Sequence, residues 1–174
     1  MKTGKLLIIF FAVVALSTAC FKITPVSEIP NIEFISFRIF DTTDILGNKS
    51  KAGKLKFRFE DGDGDIGLNQ LNGIDTTNLK ITLYRKINGV MQLVTDAYDP
   101  LLPHSSYRIP YLDRVGQSKV QTGEIIISMI YQSYKQDDII KYSFFITDRA
   151  GNNSNVEETA EINVSQNGIY QNSY

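Results

Sequence analysis

Asp61, Asp63 and Asp65 stand at alternate positions, with Gly62 and Gly64 between them. Alternating carboxylates on a glycine-rich backbone suit a hard cation, because glycine lets the chain curl until the side chains converge on one point. Calcium takes about six to eight oxygens at roughly 2.3–2.6 Å and tolerates irregular geometry. Turn formation is the competing reading, since Asp-Gly pairs are ordinary turn residues. A plain turn gains nothing from a third aspartate, however, and like charges in one short loop repel unless something neutralises them. A contact with protein or glycan is the third reading. Asp148-Arg149-Ala150-Gly151-Asn152 forms a second cluster. Gly151 and Asn152 tolerate positive φ, and the Asp148 carboxylate can accept N–H bonds across a turn, so its default role is structural.

The elements that must position these loops read as strands. Lys54 to Glu60 alternates, with Leu55, Phe57 and Phe59 facing one way and the charged residues the other. Ile32 to Phe40 is β-branched and aromatic, with Ile35, Phe37 and Ile39 expected on one face. Leu79 to Ile87 and Val90 to Thr95 flank Asn88-Gly89, the pair a tight type I′ hairpin needs. Tyr107 to Tyr111 is short, and Pro110 marks it as an edge. Glu124 to Tyr131 is apolar nearly throughout and reads as a central strand. Ile139 to Thr147 and Ala160 to Val164 complete the set. Leu55, Phe57, Phe59, Ile125, Ile127, Tyr142, Phe144 and Ile146 are the expected core. Asp96 to Ser106, with Pro100 and Pro103, is the longest irregular connection. Tyr98, Tyr107 and Tyr111 lie in or near it and suit stacking on a sugar. No helical periodicity follows the N-terminal leader, so the fold class is all-β: an immunoglobulin-like β-sandwich of seven to eight strands. In that topology the loops after the second and sixth strands emerge at one end. Asp61, Asp63 and Asp65 would then meet Asp148 and Asn152, which complete a cation site, or Arg149, which neutralises the aspartates instead.

The acidic run resembles the opening of calcium loops of the D-x-D-x-D-G type. It departs from an EF-hand at Ile66, where glycine is usual, and at Asn72, where a bidentate glutamate is usual. The Asp148 segment resembles the D-x-A-G-N turn before the last strand of bacterial immunoglobulin-like domains. Together the two segments resemble a group of uncharacterised Bacteroidetes-type lipoproteins. That resemblance implies an immunoglobulin-like fold and an envelope location, and no agreed activity.

The N-terminus fits that resemblance. Lys2 and Lys5 precede an apolar run from Leu6 to Leu16, then Ser17-Thr18-Ala19 and the single cysteine, Cys20. This is the layout of a secretory signal peptide, and the run is too short for an ordinary spanning helix. Small residues directly before a cysteine resemble a lipobox, with Ser17 where leucine is usual. The resemblance implies cleavage before Cys20 and a diacylglyceryl group on its sulfur. Phe21-Lys22-Ile23-Thr24 lacks the acidic residues that accompany surface export in such lipoproteins, which favours the periplasmic face of the outer membrane. The expected organisation is a signal peptide over 1–19, a lipidated tether over 20–31, the sandwich over 32–165 and a loose tail over 166–174.

Composition narrows the partners. The chain carries 18 basic and 19 acidic residues, a formal charge of −1, and the leader holds two of the lysines. Without a basic cluster, nucleic acid is not expected. With one cysteine, no disulfide can form within the chain, so the core must carry stability; 10 Phe and 9 Tyr can supply it. The sole histidine, His104, has no nucleophile in a recognised motif beside it, and no residue set defines a reaction. The sequence therefore predicts a non-enzymatic, lipid-anchored envelope module for binding or scaffolding, with calcium at one pole. The alternative is a glycan-binding accessory lipoprotein of a polysaccharide-uptake system. Cys20→Ala should release the protein from the membrane fraction or leave it unprocessed. Unchanged membrane association after normal cleavage would contradict lipidation.

Overall fold

The computed structural model describes residues 25–68, 77–102, 106–112 and 118–172. The leader, Cys20, Asn72 and His104 lie outside the described residues. The described residues form ten strands, against the seven to eight expected, the extra ones being short: β1 (Asn31–Thr43), β2 (Lys49–Asp61), β3 (Leu79–Ile87), β4 (Val90–Leu93), β5 (Ser106–Tyr107), β6 (Gln121–Tyr131), β7 (Ile139–Ile146), β8 (Glu157–Glu158), β9 (Ile162–Asn163) and β10 (Gly168–Tyr170). One sheet runs β10-β1-β2-β6; the other runs β4-β3-β7-β8, with β5 on β3 and β9 on β7. The strand pairs are antiparallel. The order β1-β2-β6 against β4-β3-β7-β8 corresponds to the A-B-E and C′-C-F-G layers of immunoglobulin-like sandwiches.

The inner faces meet through the period-two pattern. Leu55, Phe57 and Phe59 of β2 are buried, as are Tyr142, Phe144 and Ile146 of β7. The Phe57 and Phe144 rings lie 5.1 Å apart, and Phe37 lies 5.6 Å from Tyr142. Ile125 and Ile127 pack against this core only partly buried. At the β3–β4 turn, Asn88 and Gly89 have φ of 52° and 82°, the backbone a type I′ turn requires.

Three sequence expectations are corrected. A register shift between Phe34 and Ser36 makes a β-bulge in β1. The extra residue changes the phase, so Ile32, Phe34, Phe37 and Ile39 point inward and Ile35 does not share their face. The apolar strand β6 is an edge of its sheet, not a centre. Its outer face leaves Ile126 and Ile130 56% and 59% exposed. An unbroken apolar run does not by itself show how many faces are covered. The tail is also not loose throughout. Tyr170 is the register partner of Phe37, and its hydroxyl donates to the Asn163 and Gln166 carbonyls at 2.9 and 3.0 Å. Backbone pairing and one hydroxyl hold this strand, neither of which shows as apolar periodicity.

The long connection is fastened from beneath. The Tyr131 and Tyr142 hydroxyls lie 2.9 Å apart, and Tyr142 donates to the Leu101 carbonyl at 2.7 Å. Arg85 grips Asp99 with two hydrogen bonds, of 2.7 and 3.0 Å. Burial alone would raise the Asp99 carboxyl, but bonds from Arg85 and the Leu101 N–H outweigh it and hold it below its usual range. Phe57 is fully buried between the sheets. Phe57→Ala should cost about 3–5 kcal/mol in denaturant unfolding; a loss below about 1 kcal/mol would contradict this packing.

Candidate metal centre

Strand β2 ends on Asp61, a carboxylate with 0% exposure. One of its oxygens, Oδ2, accepts the Asp65 N–H at 2.8 Å and so curls the loop back on itself. Both glycines are there because backbone crowds them. A Cβ on Gly62 would lie 2.4 Å from the Val26 carbonyl oxygen, and Gly62 donates its N–H to the Ser27 carbonyl at 2.8 Å. Gly64 has φ +67°, and a Cβ there would lie 2.2 Å from the Lys119 carbonyl oxygen. With the spacers pressed inward, one carboxylate oxygen from each of Asp61, Asp63 and Asp65 lies within 4.8 Å of the others. Oxygens around one calcium ion can be at most about 5 Å apart, so this span fits a shared ion.

Neighbouring elements hold the loop. The Asp65 carbonyl accepts the Arg149 N–H at 3.2 Å, and Asp65 Oδ2 accepts the Ala150 N–H at 3.1 Å. Buried Asn78 donates to the Ile66 carbonyl and accepts the Ile109 N–H, each at 2.7 Å. The loop after β2 and the turn after β7 therefore meet at one pole, as the topology predicts. Their contact runs through backbone groups of Arg149 and Ala150 and through the Arg149 side chain.

Asp148 and Asn152, expected as further ligands, hydrogen-bond each other. Asp148 Oδ1 accepts the Asn152 N–H at 2.7 Å, and its Oδ2 accepts the Asn152 amide at 2.8 Å. They build the turn. Arg149 does not lie across the aspartates either. Its guanidinium donates to the Gly67 carbonyl at 2.8 Å and stands 4.9 Å from the Tyr111 ring centre. Its charge acts on Asp65 through space.

The electrostatics are thus only partly relieved. Burial first, and then the charges of Asp63, Asp65 and Asp148, push the Asp61 carboxyl up from 3.8 to about 6, against the hydrogen bond from Asp65. Burial and Asp148 likewise raise Asp65. Asp61 Oδ1, Asp65 Oδ1 and Gln121 Oε1 are buried acceptors that receive no hydrogen bond among the described residues. Such a group ordinarily costs about 1–3 kcal/mol. Three such acceptors without a donor suit a cation. Gln121 and Asn78 were not singled out in the sequence. Their roles depend on strand register and on a buried loop, neither of which has a local signature.

The aromatic residues divide. Tyr98, 93% exposed, and half-buried Tyr107 line one groove of about 810 Å³ between the long connection and the end of β6. Tyr111 stands apart from it, under Arg149 at the acidic pole.

Comparison with protein-family models, curated proteins and solved structures finds no match for this chain. The structure thus defines the protein as an all-β sandwich with a triad of aspartates able to hold a metal ion at one pole.

Because the Asp61 pKa is raised by folding, the metal-free protein binds that proton more tightly folded than unfolded. The stabilisation is complete below about 3.8 and is lost as pH rises through about 6. In chelator, the melting temperature should fall between pH 5 and pH 7 by more in the native chain than in Asp61→Asn. Equal falls in the two proteins would show that Asp61 carries no such strain.

Proposed function

We propose that this chain is a lipid-anchored module of the cell envelope that binds or scaffolds a protein or glycan partner without catalysing a reaction, and that calcium sets the structure of its acidic pole. One observation carries the calcium reading: Asp61 is fully buried, keeps an oxygen with no donor, and converges with Asp63 and Asp65. Calcium suits this set better than magnesium. It accepts an irregular shell of oxygens, whereas magnesium demands tight octahedral geometry and keeps its waters.

The tether supports the anchoring reading. Ser27 hydrogen-bonds Gly62, and β1 begins four residues later at Asn31, so the chain enters the sandwich at the acidic pole. A lipid on Cys20 would lie seven residues before Ser27, within about 25 Å of that pole when extended. The groove beside Tyr98 lies towards the other end of β6, away from the anchor. An exposed tyrosine over a groove also suits stacking on a sugar ring, which favours the glycan-binding form of this reading.

Calcium that binds only the folded state stabilises it by about 2.7 kcal/mol at a hundredfold excess over Kd. Millimolar calcium should therefore raise the melting temperature of the detergent-solubilised chain relative to chelator. Magnesium should do less, and Asp63→Asn should blunt the rise. An unchanged melting curve in calcium would remove the metal from the account.

A further inference from the structure

We infer that Gln121 is a fourth protein ligand of this cation, a neutral amide oxygen supplied by the neighbouring strand. The inference rests on the calcium reading above and extends it from one loop to two strands.

Register brings Gln121 to the site. It is the antiparallel partner of Asp61 at the last rung of the β2–β6 ladder. Side chains directly opposite each other in such a pair share a face, with Cβ atoms about 4.5–5.5 Å apart. The Gln121 side chain also lies against the loop itself. Its Cγ and Cδ stand 3.1 and 3.3 Å from the place a Cβ of Gly64 would occupy, between Asp63 and Asp65. Its amide nitrogen lies 3.5 Å from the Leu112 carbonyl. Its amide oxygen is buried and receives no hydrogen bond among the described residues.

Asp61 supplies the independent support that an acidic cluster alone would lack: a fully buried carboxylate whose Oδ1 has no donor. The amide oxygen of its register partner lacks a donor too. A cation satisfies carboxylate and amide oxygens together. The chemistry of the fourth place is apt. Asn and Gln carbonyls are ordinary calcium ligands. An amide adds an oxygen without adding charge to three carboxylates that already repel. The ion then ties the end of β2 to the start of β6, an edge strand whose other side pairs with no strand among the described residues.

The test is calorimetric titration of calcium into the full-length chain in detergent, comparing the native protein with Gln121→Leu and Gln121→Glu. Losing a mere outer-shell partner costs roughly 10–100-fold in metal affinity, so losing a direct ligand should weaken binding at least about tenfold in Gln121→Leu. Gln121→Glu keeps an oxygen in place and adds charge, and ligand charge count tunes calcium affinity over decades. It should bind about tenfold more tightly, and it remains informative if the leucine variant does not fold. A native protein that binds calcium while Gln121→Glu binds with unchanged or weaker affinity would overturn the ligand assignment and leave the triad intact. A native protein that takes up no calcium would overturn the calcium reading and this inference with it.

Discussion

The acidic pole is governed by one constraint: a folded backbone forces together carboxylates that electrostatics would separate. Asp61 cannot swing away, because it ends a thirteen-residue strand and accepts the Asp65 N–H. The loop cannot relax outward either, because Gly62 is bonded to Ser27, Asp65 to the turn after β7, and Ile66 to buried Asn78. The strain is therefore built into the native state: burial first, and the neighbouring carboxylates second, raise the Asp61 pKa. A cation bound among the carboxylates would relieve it.

The same loop is where the parts of the molecule are joined. Strand β2 belongs to one sheet and the turn after β7 to the other, so the Asp65–Ala150 contact ties the two layers at their ends. Leu68 exchanges backbone bonds with the 109–111 segment, and Arg149 closes over Tyr111. Through Ser27 the segment before β1 is fastened to it as well. A metal held here would strengthen this end of the sandwich. The groove beside Tyr98 has a separate support in the Tyr131–Tyr142 pair and the Arg85–Asp99 clasp. The two regions thus have different physics. One pole relies on charge, and the groove relies on a buried hydroxyl pair and a bidentate ion pair.

What the sequence disclosed follows the range of the forces involved. Strand alternation in Lys54–Glu60 and the Asn88-Gly89 turn are local, and both are found as read. The meeting of the acidic loop with the Asp148 turn followed from topology, which the strand order was enough to predict. Information that depends on a single register position was not legible. The bulge at Phe34–Ser36 inverts the phase of Ile35, and an apolar composition made β6 look central when it is an edge. At the site, residue type named Asp61, Asp63 and Asp65 correctly as a converging set. It also suggested Asp148 and Asn152, which hydrogen-bond each other within their own turn, and it passed over Gln121, which only the β2–β6 register brings opposite Asp61.

The most direct test of the account is a high-resolution crystal structure of the protein grown in millimolar calcium, with anomalous scattering used to identify the ion. The account predicts one calcium among Asp61, Asp63 and Asp65, with oxygens at about 2.3–2.6 Å. A structure in which no calcium scatters there, and the three carboxylates are instead separated or bridged by a basic side chain, would contradict it.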